Sequence, residues 1–382
     1  GVYPVNEAGE VVLQSGKGTV NQTAYLNSSQ VPTDVSTNKM VVKFPPEVMY
    51  TGIGNVSGAG GYLPATPDGN GSGDANSTRN MVNSAWGDYN AVQLVFLNRS
   101  GSACTVNNYT VAAGSTIYPS GANNIATPSG GWASPQGAVT VPAGTQYKPG
   151  MFVTPKIPVR SVARASGELD GGKYPLLYVR CYIATGNTAA SYGSLPAGWQ
   201  AKWKPVNEGF TLQTAIAYGG DYVTDTASYN AAVGEDSPAF TFFGAIYTYD
   251  RKYTSVCSIG DSIWAGNGDG VTGICPFGFK ATARIRASGK YCSWQAGGIG
   301  GSPITQINLH GKDIITNMSP DIIIIPSYTI NSPLATQTDW DNQWYYALDL
   351  AQAQFAQKRQ VLMVTPLPNN FLSPTQNTYR IK

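Results

Sequence analysis

Short apolar runs separated by turn residues dominate the chain between residues 80 and 250. Four of them are NAVQLVFLN (90–98), GAVTVPAGT (137–145), YPLLYVRCYIAT (174–185) and AFTFFGAIYTY (239–249), all rich in strand-forming residues. Alternating or continuous apolar patterns of this length are typical of β-strands, and no long stretch here has a helical period. The pattern predicts an all-β region, which we expect to be a β-sandwich of jelly-roll type.

The pattern of apolar positions changes near residue 252. Three buried-looking runs, YTSVCSI, PDIIIIP and VLMVTPLP, alternate with two segments of helical spacing, 302–318 and 339–360. In the first of these segments five residues recur broadly on one face: Ile304, Ile307, Ile314, Ile315 and Met318. Continuous apolar strands that alternate with helices are typical of a parallel sheet with right-handed crossovers. The sequence therefore predicts a multidomain chain whose last part is an α/β three-layer domain.

The expected organisation has three parts. Residues 1–80 have few strand-like runs and are predicted to be an extended, loop-rich segment. Residues 81–250 form the predicted β-sandwich, and residues 251–382 form the predicted α/β domain.

The composition of the chain argues against two classes of binding partner. Only 12% of the residues are charged and the net charge is +2, with no long basic or acidic run. Nucleic acid and anionic membrane surfaces are therefore not expected partners. No stretch approaches the roughly 20 apolar residues of a membrane span, so none is expected.

The five cysteines give no sign of a metal or cofactor site. They contain no Cys-x-x-Cys pair, so we predict neither zinc nor any other metal or cofactor. Cys275 and Cys292 could form a disulfide, and the alternative is that all five cysteines are free thiols.

Polar and glycine residues follow the predicted strands of the α/β part. Ser262 comes directly after the first strand, in SVCSIGDSIWAGN, and Asn331 follows the isoleucine strand. Between them QAGGIGGSPI (295–304) forms a glycine cluster that we expect at the start of a helix. Because ligands bind beyond the carboxyl ends of parallel strands, we expect these three segments to meet at one edge of the sheet.

Such a set of groups suits acyl transfer. A serine hydroxyl can act as nucleophile, and backbone N–H groups with a carboxamide can bind an oxyanion. The glycines matter because only a backbone without side chains lets a substrate approach so closely.

The three segments resemble the motif blocks of the SGNH (GDSL-like) hydrolases. SIGDSIWAG is similar to the first block, QAGGIGGSPI to the glycine block, and SPDIIIIPSYTIN to the block that ends in Asn, over residues 250–382. The resemblance implies Ser262 as nucleophile and Asn331 as an oxyanion donor through its side chain. It implies Gly300, or Gly301 in an alternative alignment, as the backbone oxyanion donor, and Asp261 as a supporting turn residue.

The residues before this part resemble the β-sandwich that precedes such domains in bacteriophage and secreted carbohydrate esterases. TRNMVNSAWGDYNAVQLVFLN and GAVTVPAGTQYKPG carry the resemblance. It implies a tail fibre or tailspike protein of the virion that removes O-acetyl groups from bacterial surface glycan, with other virion proteins as partners. By analogy residues 1–80 would serve in virion attachment and the assembly would be a homotrimer. The alternatives are a secreted esterase and a catalytically inert structural or receptor-binding virion protein.

The sequence departs from the family at the catalytic base. The family's last block, Asp-x-x-His, has no counterpart in residues 1–382, and the only histidine is His310. His310 lies within a predicted crossover helix, so we expect it to be packed or solvated rather than catalytic. Three explanations stay open: a longer polypeptide, a proteolytic product, or a module that has lost catalysis.

Overall fold

The structure is a computed structural model. It describes residues 11–12, 39–40, 51–54, 77–98, 101–116, 124–125, 131–145, 147–166, 172–184, 204–206, 210–218, 220–223, 229–230, 242–264 and 276–364. The predictions for residues 1–10, 55–76 and 365–382 lie outside the described residues.

Strands dominate the described part of the chain. The first ten are β1 (Val11–Val12), β2 (Lys39–Met40), β3 (Thr51–Gly54), β4 (Ser77–Ser84), β5 (Tyr89–Asn98), β6 (Cys104–Val106), β7 (Asn108–Gly114), β8 (Asn124–Ile125), β9 (Val139–Val141) and β10 (Gly150–Val153). The next ten are β11 (Ile157–Pro158), β12 (Leu176–Ile183), β13 (Lys204–Val206), β14 (Phe210–Tyr218), β15 (Tyr229–Asn230), β16 (Phe242–Tyr249), β17 (Thr254–Gly260), β18 (Cys292–Gly298), β19 (Ile322–Pro326) and β20 (Gln360–Val364).

Two antiparallel sheets pack face to face. The inner sheet has the order β10-β5-β16-β3, with β11 also paired to β5, and the outer sheet has the order β13-β14-β4-β12-β7. A shared apolar core lies between them; Val92, Leu94 and Phe96 of β5 meet Val111 of β7 and Val179 of β12 there. The remaining strands form the short pairs β1-β2, β6-β9 and β8-β15. The jelly-roll connectivity stays a prediction.

Strand β5 is buried on both of its faces. Its alternate residues Val95 and Leu97 belong to a second core, which they share with the parallel sheet and its helices. Because side chains alternate across a strand, one strand can supply both cores. The inner sheet is therefore the middle layer between the outer sheet and the α/β part.

The strands of the inner and outer sheets begin before residue 81. β3 pairs with β16 and β4 pairs with β12, and both lie wholly or partly within the segment that the sequence predicted to be extended. Their hydrogen bonds join residues 51–54 and 77–80 to the two antiparallel sheets.

The last part of the chain contains a four-stranded parallel sheet of order β18-β17-β19-β20. The isoleucine strand β19 pairs in parallel with β17 on one side and β20 on the other. The prediction of an inner parallel strand over the four isoleucines is therefore confirmed.

Three helices accompany the parallel sheet in the described residues: α1 (Pro276–Ala287), α2 (Ile304–Met318) and α3 (Gln337–Ala356). α2 begins directly after Pro303, and it ends where Ser319 takes a left-handed conformation and donates its backbone N–H to Ile314. The apolar face predicted for α2 is confirmed, because all five of its predicted residues are buried in the second core: Ile304, Ile307, Ile314, Ile315 and Met318.

Two elements were not predicted from the sequence, α1 and β18. Gly278 of α1 lies so close to Trp294 of β18 that an added Cβ would stand 2.3 Å from the indole. Trp294 in turn accepts a hydrogen bond at its carbonyl from the indole N–H of Trp86 (3.1 Å). The glycine cluster leads into a helix as expected: its residues 295–298 end β18, and its last residue, Ile304, is the first of α2.

The described cysteines are free thiols. Cys104, Cys181, Cys257 and Cys292 are all buried and unbridged. Cys275, the partner that the sequence left open for Cys292, lies outside the described residues. Burial raises the pKa of the Cys257 thiol well above its usual range.

Candidate active site

Ser262 lies in the turn that follows β17. The neighbouring Asp261 is 4% exposed, and its Oδ1 accepts a hydrogen bond from the backbone N–H of Ile263 (3.0 Å). This bond closes a tight turn around Ser262, whose side chain is partly exposed. The sequence Gly-Asp-Ser thus ends the strand and leaves a hydroxyl at the carboxyl edge of the sheet.

Asp261 also joins this turn to the loop after β19. Its Oδ2 accepts a hydrogen bond of 2.5 Å from the Thr329 hydroxyl, and Thr329 is 1% exposed. The two residues are 68 positions apart in the sequence. They meet because β17 and β19 are adjacent parallel strands whose carboxyl ends share one edge.

The glycine segment lies at the same edge. The backbone N–H of Ile299 donates to the carbonyl of Gly260 (2.9 Å), and the N–H of Ser302 donates back to Ile299 (3.2 Å). Gly301 has φ of +79° and is exposed, so a side chain would be strained there. Gly300 is partly buried.

Asn331 lies against the end of the glycine segment. Its Nδ2 donates to the carbonyl of Ser302 (3.3 Å), and its backbone N–H donates to the Thr329 hydroxyl (3.2 Å). The Thr329 hydroxyl also lies 3.4 Å from that same Ser302 carbonyl. One continuous network therefore joins Asp261, Thr329, Ser302 and Asn331, and it brings together all three segments that the sequence singled out.

Two further residues hold the Asn331 loop in place. Ser332 accepts the backbone N–H of Ile304, the first residue of α2, at 2.8 Å. The buried side chain of Gln343 on α3 accepts the N–H of Thr329 (2.7 Å) and donates to the carbonyl of Pro333 (3.2 Å). Buried polar side chains with such partners hold a loop rigidly.

Sequence reasoning missed Thr329, Ser302, Ser332 and Gln343. None of them belongs to an apolar pattern, and each acts through a partner that is remote in the sequence. The one available signal was Gln343, a polar residue at helical spacing from apolar ones in the predicted helix 339–360. A buried amide must find hydrogen-bond partners, because an unsatisfied amide in a core is costly.

Three titratable side chains near the proposed site, His310, Tyr328 and Asp339, are packed or bonded elsewhere. His310 is 2% exposed within α2, about 9 Å along the helix axis from Ile304. Tyr328 stacks on Trp340 (5.6 Å between ring centroids), and the Asp339 carboxylate accepts the backbone N–H of Thr336 at the start of α3 (2.9 Å). The packed position expected for His310 agrees with its burial.

No metal-binding cluster of three or more His, Cys, Asp or Glu residues occurs within the described ranges. Of the helices in those ranges, none is both long and apolar enough to span a membrane.

Comparison with known proteins gives partial likenesses. No family model and no curated protein matches the chain. Among solved structures, the chain is similar to a variant of esterase AlinE4 (16% identity, TM-score 0.29), covering 34% of this chain and 68% of that one. It is also similar to the acetyl xylan esterase AlAXEase (22% identity, TM-score 0.26), with 33% and 68% covered.

A third similar structure is a protein described as an acylhydrolase of Bacteroides fragilis. The identity is 19% and the TM-score 0.21, and the match covers 30% of this chain and 49% of that one. The chain thus spans about half of that protein's length. The matched structures are esterases and acylhydrolases.

Proposed function

We propose that this chain carries a serine-dependent acyl-ester hydrolase site of SGNH type. The observation that carries the proposal is the hydrogen-bond network from Asp261 through Thr329 and Ser302 to Asn331. The network supports the proposal because it holds the turn of Ser262, the glycine pair and the carboxamide at one sheet edge.

In the proposed reaction the Ser262 oxygen attacks the ester carbonyl. A bond forms between that oxygen and the carbonyl carbon, and the carbonyl oxygen takes up negative charge. The Asn331 carboxamide and a glycine N–H, from Gly300 or Gly301, donate hydrogen bonds to it. The alcohol then leaves with a proton, and water hydrolyses the acyl-serine.

The proton of Ser262 needs an acceptor. A serine hydroxyl is a poor nucleophile at neutral pH unless a base removes its proton. Asp261 accepts hydrogen bonds at both carboxylate oxygens, and His310 is buried in α2. We therefore expect slow turnover in the chain alone and a faster rate when imidazole is added as an external base.

The proposed substrate is an O-acetylated glycan of the bacterial surface, and the proposed location is a bacteriophage tail fibre or tailspike. The low charged fraction and the strand-rich region before the α/β part support this context. Release of acetate from acetylated bacterial polysaccharide, compared with chemically deacetylated polysaccharide, tests the substrate class.

The second candidate function is an inert binding or structural module. It is favoured by one specific observation, namely that the only histidine of the 382 residues is buried away from the edge of the sheet.

Covalent mapping distinguishes these two functions. The chain is incubated with diisopropyl fluorophosphate and imidazole, digested and examined by mass spectrometry. The esterase proposal predicts phosphorylation at Ser262 ahead of the other serines, and slower labelling in Asn331→Ala. Labelling spread evenly over exposed serines would support the inert module.

A further inference from the structure

The turn between β9 and β10 projects from the edge of the inner sheet towards the α/β part. The backbone N–H of Thr145 donates to the Lys148 carbonyl (2.8 Å), and the N–H of Lys148 donates to the Thr145 hydroxyl (3.1 Å). These reciprocal bonds close the turn and give Tyr147, between them, a defined position.

The base of this turn is held firmly. Buried Asn98 donates through its Nδ2 to the carbonyls of Ser102 (2.8 Å) and Pro142 (2.9 Å). Gly150 passes so close to Pro142 that an added Cβ would lie 2.1 Å from the Pro142 carbonyl oxygen. The two arms of the turn are therefore packed backbone to backbone, so the turn is a rigid support.

Two side chains of the turn contact the α/β part. Lys148 forms an ion pair with Asp313 of α2 (3.4 Å). The Tyr147 ring lies over Gly301, where an added Cβ would be 3.2 Å from the phenol oxygen. Gly301 directly precedes Ser302, whose carbonyl binds Asn331. Tyr147 therefore stands at the proposed catalytic edge, although it belongs to the antiparallel part of the chain.

Two exposed isoleucines flank the other groups of the site. Ile263, next to Ser262, is 62% exposed, and Ile330, next to Asn331, is 54% exposed. Exposure of two large aliphatic side chains beside a nucleophile and an oxyanion donor is suited to contact with a substrate. The two isoleucines adjoin Ser262 and Asn331 in the sequence, and Tyr147 adjoins Gly301 in space.

We propose that Tyr147 is a specificity-determining residue that contacts the alcohol part of the ester, and that this alcohol is a sugar. The inference rests on the proposed function and adds a substrate-binding role for the antiparallel part. A sugar ring presents C–H groups on its faces and hydroxyls at its edge. A partly exposed tyrosine offers a matching apolar ring and polar tip, and the isoleucines offer further apolar contact.

The test compares a sugar ester with an ester that has no sugar. Glucose pentaacetate and 4-nitrophenyl acetate are hydrolysed by the full chain in the presence of imidazole, with the imidazole background subtracted. We expect Tyr147→Ala to lower kcat/KM for the sugar ester about tenfold, mainly through KM, and to change the rate for 4-nitrophenyl acetate less than about twofold. Tyr147→Phe keeps the ring and loses the hydroxyl, so its kcat/KM for the sugar ester should lie between those of the parent chain and Tyr147→Ala.

Tyr345→Ala is the matched control, because Tyr345 is a 67% exposed tyrosine of α3 that packs on Tyr346. It should leave both rates unchanged. Equal losses on both esters, or no loss with Tyr147→Ala, would overturn the inference.

A binding experiment separates this inference from the proposed function. Saturation-transfer NMR measures binding of glucose pentaacetate to the Ser262→Ala protein, which cannot form an acyl-serine. Signals that disappear in Ser262→Ala/Tyr147→Ala support the role of Tyr147 even where no Ser262-dependent hydrolysis is found. Signals of equal strength in both proteins overturn the role of Tyr147, whatever the outcome for hydrolysis.

Discussion

Replacement of Thr329 by valine removes the hydroxyl at the centre of the site network and keeps the branched shape of the side chain. The hydroxyl donates to Asp261 at 2.5 Å and accepts the backbone N–H of Asn331 at 3.2 Å. Both Thr329 and Asp261 are buried, with 1% and 4% exposure. Water therefore cannot easily replace the lost partner of the Asp261 carboxylate.

The expected cost follows from that burial. Leaving a buried acceptor without its donor costs about 1–3 kcal/mol, and the upper half of this range applies to a carboxylate. We therefore expect Thr329→Val to lower the free energy of unfolding by about 2–3 kcal/mol. Thr329→Ser keeps the hydroxyl and loses one methyl group, so it should lose about 1 kcal/mol or less.

Urea denaturation followed by tryptophan fluorescence measures these differences, and imidazole-supported ester hydrolysis measures the effect on the site. Because the hydroxyl orients the loop of Asn331, Thr329→Val should also lower kcat more than it changes KM. The reasoning would be refuted by a valine variant as stable as the serine variant and equally fast.

Two other predictions concern the glycine segment and the surface of α2. Gly301→Ala should lower the free energy of unfolding, measured by urea denaturation, more than Gly289→Ala does. Both glycines have positive φ, +79° and +83°, but only at Gly301 would an added Cβ lie against Tyr147. Equal losses in the two variants would contradict that contact. The Lys312 ammonium, with help from Asn308, lowers the pKa of the Asp349 carboxyl, so its stabilising contribution is present at neutral pH and is lost as the pH falls through the lowered pKa. NMR titration should show that Lys312→Met raises the pKa of Asp349 towards its usual value, and an unchanged value would refute the role of Lys312.

Most of the parallel strands could be predicted from the sequence because buried strands of this kind consist of continuous apolar runs. Four isoleucines between prolines predict an inner strand, and β19 occupies that place. The helix bounds were less accurate. α3 begins at Gln337 instead of residue 339 because Thr336 and Asp339 form a capping box there, and it ends at Ala356 instead of residue 360.

β18 and α1 were missed because polar residues and glycines hold them in place. Ser293 and Gln295 of β18 are fully buried although both are polar, so no apolar pattern marks the strand. α1 packs through Gly278 against Trp294, a contact that depends on the absence of a side chain. Patterns of hydrophobic residues cannot indicate either feature.

The candidate site was only partly predictable for a related reason. Ser262, Asp261 and Asn331 could be proposed because they follow predicted strands whose ends must share an edge. Thr329 and Tyr147 act through single long-range contacts, to Asp261 and Gly301, that depend on how the sheets pack. No local pattern in the sequence specifies those contacts.

We propose that Ser262 is the nucleophile of an esterase site, and the one histidine of the 382 residues, His310, is buried in α2. The most direct test measures acetate release from glucose pentaacetate by the 382-residue chain and by Ser262→Ala over a series of imidazole concentrations. We predict a rate that rises with imidazole in the parent chain with a slope about tenfold or more above that of Ser262→Ala. The same slope in both proteins, equal to that of imidazole alone, would contradict the claim.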